Sequence, residues 1–546
     1  MIFWLLAWSF GMIALPRLVR QLATRCVAAA VPSGGSFVSR DLFWSLRMST
    51  PLLVPQLRRR RLGVIHLVFF TVAASAPLTV LGGGVTTTFA VSGVMGVPLS
   101  FLLMAAALAL FAVGYAAMSR HVGNAGAFYS YLAQGLGPRW AVAGSFVALV
   151  AYIAIGVGLY GLFGESLADL AMRVGLDLPW WSFALLALLA SGTLGVLRVD
   201  LNAGVLAVLL VAECAVVAVY DIGAIAHPVG GEISFTGLDP AALFVPGVGA
   251  VLAFTVAGFI GFESSAIYSE ECRNPRVTVG RATFAALAFT GLFYGLSAWA
   301  MTVSVGTAGL QQAAAKNGPG LVFSGLAQHW GAAVADIASV LFLTSVFAAI
   351  VSFHNGVARY LFALGRERVL PSAFARVGVR SGGPVVGSAV QSALALLAVL
   401  LCALFQVEPV LQLFTWGSGL SAVGVVALMA VTSAAVIGFF RDRPGRANYW
   451  QRLVAPAAAT VLLTSIVVLL IANFDLMLAV PPSDPLRWIV PGAVLAAALA
   501  GLARAARLRG RHPRAYRMIG QIALAPDPEE PVIQLGPEPR RHRRSR

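Results

Sequence analysis

Charged residues are scarce in this sequence: 11% of its 546 residues are Asp, Glu, Lys or Arg, against about 25% in a typical soluble domain. Cysteine is scarcer still, with four residues that lie far apart and show no paired spacing. So few charges do not cover a water-facing surface, which excludes a soluble enzyme and a disordered chain. The cysteines match neither a disulfide framework nor a zinc-binding pattern, so we expect no metal site and no cofactor.

Apolar residues make up 59% of the chain and are grouped in long runs. A membrane-spanning helix needs about 20 consecutive, mostly apolar residues. Twelve such runs are separated by Pro, Gly or charged residues, which predicts an all-α polytopic membrane protein with about twelve transmembrane helices. The predicted spans are residues 65–89, 95–118, 139–164, 180–198, 201–224, 244–269, 280–304, 332–362, 384–405, 409–438, 452–474 and 487–506.

The net charge of +16 comes from Lys and Arg residues placed in short runs between the apolar segments and in the C-terminal tail. If the run Arg58–Arg61 is cytoplasmic, twelve spans place 30 of the 38 basic residues inside and three outside, with five in the first 57 residues. Such a bias sets the orientation of a membrane protein. The sequence therefore predicts both termini in the cytoplasm and a location in the cell membrane. It does not indicate nucleic-acid binding.

The two ends of the chain fall outside the predicted spans. Residues 1–61 form an N-terminal cytoplasmic segment, in which the biological start is either Met1 or Met48; an interfacial anchor is the alternative for residues 1–47. Residues 507–546 are basic and rich in Pro and Glu, which predicts a disordered cytoplasmic tail. Between the ends we expect a five-helix repeat at 62–224, a second, inverted one at 244–438, and two further helices at 451–506.

Glycines interrupt the first and the sixth predicted spans. The first contains the run Gly82–Gly84, and the sixth contains Gly258 and Gly261. Each glycine costs a helix about 1 kcal/mol relative to alanine, and both spans open a set of five. Paired interruptions in matching halves are typical of secondary transporters built from inverted repeats. The alternative is close helix packing through small residues.

The chemistry of a broken helix indicates the ligand. A half-helix beginning after Gly84 would present free N–H groups and its positive end to a carboxylate. A break near Gly258 and Gly261 would present carbonyl groups to an ammonium group. The two together favour an α-amino acid.

Four motifs in order resemble the amino acid–polyamine–organocation (APC) superfamily of permeases, and the matching segments are spread over residues 62–510, nearly the whole membrane part. They are Gly82-Gly83-Gly84-Val85; the segment Ala125–Tyr131 with Gly135–Pro138; Gly258–Glu263 running into Glu270–Arg276 and Arg281–Thr283; and Asn355, Arg359, Gly365-Arg366 and Leu370-Pro371. Gly83 stands where the family usually has Ser or Thr. The resemblance implies the five-plus-five inverted-repeat fold with two extra helices and transport by alternating access.

The resemblance also implies a substrate site between the two interruptions. Its candidate substrate-binding residues are Thr79, Gly82, Gly83, Gly84, Ala257, Gly258, Phe259, Ile260, Gly261, Phe262, Phe353 and Trp416. Two departures leave the substrate and the driving ion open. Some proton-coupled members carry a lysine in the fifth span, whereas 202–210 contains none, and some members place a large aromatic residue where this chain has Ala257.

Three ionisable residues lie within predicted spans: Glu213, Glu263 and His354. Such groups are costly in the membrane and are functional candidates by default, so we take them as coupling or gating residues. The alternative for Glu263 is a brace for unwound backbone. For Glu213 it is a structural hydrogen bond, and for His354 a packed polar side chain.

The sequence therefore predicts a secondary active transporter for an amino acid, working as a proton symporter or as an exchanger. Its partners would be an amino acid or related amine, protons and the lipid bilayer. The alternatives are a permease for polyamines or other organic cations and, from another class, a channel or a membrane-embedded enzyme. No catalytic residues are assigned, because neither HExxH nor GxSxG occurs.

Overall fold

The computed structural model of the protein describes residues 63–122, 127–197, 203–263, 272, 275–378 and 383–520. The predictions for residues 1–61 and for the tail beyond 520 lie outside this part of the chain. The α-helices are α1 (Val64–Ser75), α2 (Pro77–Thr79), α3 (Thr86–Ser92), α4 (Val97–Ser119), α5 (Ala127–Gly135), α6 (Pro138–Met172), α7 (Trp180–Leu197), α8 (Ala203–Ala226), α9 (Pro240–Leu243), α10 (Val248–Phe259), α11 (Pro275–Val305), α12 (Leu310–Asn317), α13 (Gly320–Trp330), α14 (Ala332–Arg366), α15 (Val385–Leu404), α16 (Thr415–Arg441), α17 (Ala455–Ala472), α18 (Phe474–Leu478), α19 (Leu486–Arg511) and α20 (Pro513–Met518).

Wider π-helical turns occur in three of the predicted spans. They cover Val80–Val85, Pro409–Phe414 and Trp450–Val454. The first joins α2 to α3, and the other two lead directly into α16 and α17. π-Helical turns are rare and occur most often at functional sites. The first of the three contains the glycine run of the first span.

Each of the twelve predicted spans corresponds to helical structure. Within the described residues ten helices are long and apolar enough to cross a membrane, and two shorter apolar helices, Trp180–Val196 and Val248–Phe259, lie in the fourth and sixth predicted spans. The regular elements of the described chain are all helices. The prediction of an all-α polytopic fold is confirmed, and the protein is a multi-pass membrane protein.

The first span is interrupted, but not where we expected. Helix α1 ends at Ser75, and Ala76 adopts the left-handed conformation with φ 52° and ψ 80° before α2 begins at Pro77. The residue before a proline is disfavoured in the α conformation, so Pro77 sets this break. The prediction that a half-helix begins after Gly84 is wrong, because the glycines remain helical in the π-turn.

The sixth span is interrupted at the predicted place. Helix α10 ends at Phe259, Ile260 is extended with φ −60° and ψ 128°, and Gly261 has φ 114°. A side chain at φ 114° would be strained, so glycine is required there. Both opening helices of the two predicted repeats are therefore broken.

The C-terminal boundary also differs from the prediction. Helix α19 continues to Arg511, and α20 follows directly, so residues 507–518 are helical rather than part of a disordered tail. The backbone N–H of Gly520 donates to Glu367 Oε2 over 2.8 Å, and this acceptor lies just beyond the end of α14. This contact ties the end of the described chain to the helix bundle.

Candidate functional site

The two broken spans touch each other close to their breaks. A Cβ atom placed on Gly258 would lie 3.1 Å from Cγ1 of Val80, in the first turn after α2. This approach is tighter than ordinary van der Waals contact, so Gly258 is small because the first span passes against it. The sequence placed both interruptions at one site, and the structure brings them together there.

The glycine run of the first span packs against two neighbouring helices. A Cβ atom on Gly82 would lie 2.9 Å from the ring of Phe342 on α14, and one on Gly83 would lie 2.7 Å from Leu162 on α6. A Cβ atom on Gly84 would lie 3.8 Å from Val80, within the same turn. Gly82 and Gly83 therefore let the first span pack closely against the third and eighth spans. Close packing through small residues was the alternative interpretation of these glycines.

Glu263 connects the break in the sixth span to the third span. Its side chain is 2% exposed. Oε1 accepts a hydrogen bond from the hydroxyl of Tyr152 on α6 over 2.7 Å, and Oε2 accepts one from the backbone N–H of Gly261 over 2.9 Å. The ring of Tyr152 lies 6.2 Å from that of Phe353 on α14. Both carboxylate oxygens are thus satisfied, and the unwound backbone at Gly261 is tied to a rigid helix.

Glu213 lies at the break in the first span. It is 5% exposed, and its Oε2 accepts hydrogen bonds from Ser345 Oγ over 2.7 Å and from the backbone N–H of Leu78 over 3.5 Å. Thr79 Oγ1 in turn donates to Ser345 Oγ over 2.9 Å. The first N–H groups of a helix have no acceptor within it. A carboxylate from the fifth span therefore sits at the N-terminal end of the half-helix that starts at Pro77, bridged to the eighth span.

A second hydroxyl pair continues this polar group. The hydroxyl of Tyr294 on α11 lies 2.8 Å from Ser75 Oγ, in the last residue before the break. Together, Ser75, Thr79, Glu213, Tyr294 and Ser345 form what we call the Glu213 cluster. Its members come from the first, fifth, seventh and eighth spans, so any rearrangement of the first span against the others must alter it.

The aromatic candidates divide into two groups. Phe259 and Phe262 are buried against α4, with ring centroids 6.2 Å from Phe101 and 5.9 Å from Phe111. They anchor the broken sixth span to the second span. Phe353 lies beside Tyr152 in the other group, and Trp416 lies in the first turn of α16, where its buried indole N–H has no partner among the described residues.

His354 lies apart from both carboxylates. Its Nε2 is 2.8 Å from Ser388 Oγ on α15, and a Cβ atom on Gly195 of α7 would lie 2.6 Å from the same nitrogen. The imidazole therefore packs among the fourth, eighth and ninth spans. This position matches the alternative of a packed polar side chain.

The remaining candidates, Ala257 and Ile260, flank Gly258 and Phe259 at the end of α10. Ile260 is buried, whereas Ala257 is partly exposed. The carbonyl of Ala257 accepts the N–H of Ile260 over 3.2 Å, which closes the last turn of α10. A methyl group at 257 leaves more room beside the break than an aromatic side chain would.

Three polar residues of the site were not predicted from the sequence: two bond a carboxylate, and Tyr294 bonds Ser75. Tyr152, Tyr294 and Ser345 lie inside long apolar spans, and none belongs to a motif. The one signal in the sequence is that each is a polar residue within a span. The structure was needed because their partners are 111, 219 and 132 residues away in the chain.

Two broken helices side by side are an arrangement that occurs in secondary transporters. Two membrane helices are broken side by side, with a buried carboxylate at each break, and these carboxylates accept hydrogen bonds from hydroxyl and backbone N–H groups. Within the described residues no group of three or more His, Cys, Asp or Glu side chains is arranged to hold a metal ion.

Comparison with known proteins agrees with this class. The family model for amino acid permeases matches residues 62–495. The chain belongs to the amino acid permease family, which lies within the APC superfamily indicated by the motifs.

The curated relatives are 26% to 29% identical to this chain. The chain is 26% identical over 383 residues to the branched-chain amino acid permease BcaP of Lactococcus lactis, a match covering 66% of this chain and 77% of that protein. It is 26% identical over 362 residues to BcaP of Bacillus subtilis, covering 60% and 72% of the two chains. It is 29% identical over 412 residues to the transporter Rv1999c of Mycobacterium tuberculosis, covering 72% and 84%.

Proposed function

We propose that this permease carries an apolar amino acid of the branched-chain type across the cell membrane by alternating access, driven by protons. The observation that carries the proposal is the contact between the two broken spans, with Gly258 against Val80. The N-terminal end of one half-helix and the C-terminal end of α10 meet there. They offer N–H groups for a carboxylate and carbonyl groups for an ammonium group.

Apolar side chains around the breaks support an aliphatic substrate. Val80, Leu162 and Phe342 line the first span's turn, and Ala257 and Ile260 precede the break in the sixth. A substrate site lined by such side chains would gain about 25 cal/mol per Å² of aliphatic surface that it buries. The BcaP proteins are named for branched-chain amino acids, which favours the same substrate class.

We assign proton coupling to Glu213 and a bracing role to Glu263. A charged Glu213 occupies the half-helix end that a substrate carboxylate would use and repels that carboxylate. Protonation removes the repulsion and frees the N–H of Leu78, so proton and amino acid bind together. Glu263 has both oxygens hydrogen-bonded to fixed groups, which suits a brace for the unwound backbone.

The orientation that supports this scheme has both termini in the cytoplasm. It rests on the excess of Lys and Arg in alternate connections. In this orientation the end of the fifth span at Ala226 and the connection containing α12 and α13 face outward.

Counterflow in proteoliposomes tests the transport function. Vesicles loaded with unlabelled leucine should accumulate labelled leucine, valine and isoleucine in a saturable and stereoselective way, whereas labelled putrescine and arginine should stay outside. Accumulation of putrescine in place of leucine would establish the polyamine alternative, and non-saturable entry of all solutes would indicate a channel. An inward proton gradient should then raise leucine accumulation at least tenfold, and Glu213→Gln should abolish this gain while retaining counterflow.

A further inference from the structure

The fifth span carries a second buried carboxylate that the substrate site does not use. Asp221 lies eight residues after Glu213 on α8, which places it about 12 Å nearer the outer end of the helix. Its side chain is 4% exposed. A buried ionisable residue within a membrane span is a functional candidate with a partner to be identified.

Among the described residues, only one oxygen of Asp221 has a hydrogen-bond partner. Oδ2 accepts a hydrogen bond from Ser297 Oγ on α11 over 2.8 Å, whereas Oδ1 is buried and accepts none. An unpaired buried acceptor costs about 1–3 kcal/mol. If the bond to Ser297 served only to hold the two helices together, it would not explain why Oδ1 is buried without a partner. A proton on Oδ1 removes the negative charge, whose burial is costly unless the charge is paired.

The interface between α8 and α11, which we call the seam, extends from Asp221 toward the Glu213 cluster. Tyr294 lies three residues before Ser297 on α11 and therefore on the same face of that helix. Its hydroxyl lies 2.8 Å from Ser75 Oγ at the break, three residues before Leu78, whose N–H donates to Glu213. Three pairs form a polar series in this order: Asp221 with Ser297, Tyr294 with Ser75, and Glu213 with Ser345.

The outer end of this series lies beneath the connection between the seventh and eighth spans. The indole N–H of Trp330, at the end of α13, donates to the carbonyl of Val219 over 3.1 Å. The ring of Tyr220 lies 3.1 Å from the position of a Cβ atom on Gly325. Asp221 is thus close to the outer surface but is covered by a surface helix.

The other titratable groups near this part of α8 come from four elements. Tyr220 is on α8 itself, and Tyr294 is on α11. His329 is on α13 and His227 directly follows α8, and these two rings stack on each other. Asp336 on α14 is exposed and forms an ion pair with Arg173.

We propose that Asp221 is an outer proton-binding site that supplies Glu213 along the seam between the fifth and seventh spans. The proton comes from the external solution, binds Oδ1 of Asp221 and passes inward through the hydroxyl groups of the series to the Glu213 carboxylate, which leaves Asp221 ionised again. This route approaches the substrate site from the fifth and seventh spans and ends at Glu213, beside the break in the first span. The inference rests on the proton coupling in the proposed function.

The test compares two assays in the same proteoliposomes. Leucine counterflow at equal pH needs no net proton movement, and leucine-dependent proton entry is followed with an internal pH-sensitive dye. Asp221→Asn should retain counterflow within about twofold while leucine-dependent proton entry and gradient-driven accumulation fall at least tenfold. The control Asp336→Asn removes an exposed outer carboxylate and should behave as wild type in both assays.

Two further variants keep the test decisive if Asp221→Asn does not insert. Ser297→Ala and Asp221→Glu retain the carboxylate but change its hydrogen bond or its position, so each should shift the pH midpoint of driven uptake by at least half a unit. Full proton entry in Asp221→Asn, or unchanged pH midpoints in both other variants, would overturn the role of Asp221. If the wild-type protein accumulates leucine without any proton entry, the coupling in the proposed function fails as well.

Discussion

The hydroxyl of Tyr152 donates to Glu263 Oε1 over 2.7 Å, joining a rigid third span to the unwound backbone of the sixth. The same carboxylate accepts the N–H of Gly261 through its other oxygen. The Glu263 side chain thereby fixes where the sixth span breaks and holds the unwound backbone against the third span. The local geometry of the site therefore depends on a pair of residues 111 positions apart.

This pair predicts a measurable coupling energy. Tyr152→Phe leaves a buried carboxylate oxygen without its donor, so we expect it to lower the free energy of unfolding by about 1–3 kcal/mol. In a double-mutant cycle with Glu263→Gln, measured by thermal unfolding in detergent, the two substitutions should be non-additive by at least about 0.5 kcal/mol, since they share one hydrogen bond. Additive effects would contradict a direct bond between these side chains.

The glycine run offers a matched pair of substitutions. Gly83→Ala places a methyl group against Leu162, and overpacking of this kind costs about 1–3 kcal/mol. Gly84→Ala meets only ordinary contact with Val80 and should be tolerated. Melting temperature and leucine counterflow, measured for both variants, should separate them clearly.

A second substitution asks whether Gly83 acts through packing. Leu162→Ala in the Gly83→Ala background should restore both stability and counterflow, because it makes room for the added methyl group. If stability returns but leucine binding does not, the backbone at Gly83 contacts the substrate directly, as the resemblance to the APC superfamily implies.

The break in the first span should depend on Pro77. In Pro77→Ala, residue 76 is free to become helical, so α1 and α2 should join and counterflow should fall at least tenfold while the protein still inserts. Ala76→Gly is the control, because glycine adopts a positive φ without strain. This variant should keep transport and gain up to about 1 kcal/mol in stability. Full transport by Pro77→Ala would show that the break does not depend on the proline.

The stack of His227 and His329 predicts a pH dependence of stability. The ring centroids lie 4.5 Å apart, just beyond the C-terminal end of the fifth span. Burial and, to a smaller extent, the neighbouring His227 lower the pKa of His329 below its ordinary value. The folded protein therefore binds a proton at His329 less readily than the unfolded chain does. The contribution of neutral His329 to the free energy of unfolding is complete above about pH 6.5 and is lost as the pH falls below that value.

Thermal unfolding tests whether stability falls with falling pH in this way. The melting temperature of the wild-type protein should fall more between pH 7 and pH 5 than that of His329→Gln. His512→Gln, which removes an exposed histidine elsewhere, is the control and should follow the wild-type curve. A larger fall in His329→Gln than in wild type would contradict a lowered pKa of His329 in the folded protein.

Much of the membrane architecture could be predicted because hydropathy is a property of consecutive residues. Within the described residues each of the twelve predicted spans contains a helix, and the sixth span breaks at Gly261 as expected. The first break was misplaced because the prediction rested on the three glycines, at about 1 kcal/mol each, and not on Pro77, which alone costs a helix interior about 3 kcal/mol. The residue before Pro77 is the one that leaves the helix, and that signal was present in the sequence.

The sequence by itself determined that this is a multi-pass helical protein with two interrupted spans, since length, apolar content and the breaking residues act locally along the chain. Only the tertiary structure decided the partners of the buried groups: Tyr152 for Glu263, Ser345 for Glu213, and Ser388 for His354. Each pair joins helices distant in sequence. Such a contact depends on how the helices rotate and pack against one another, which no local pattern specifies.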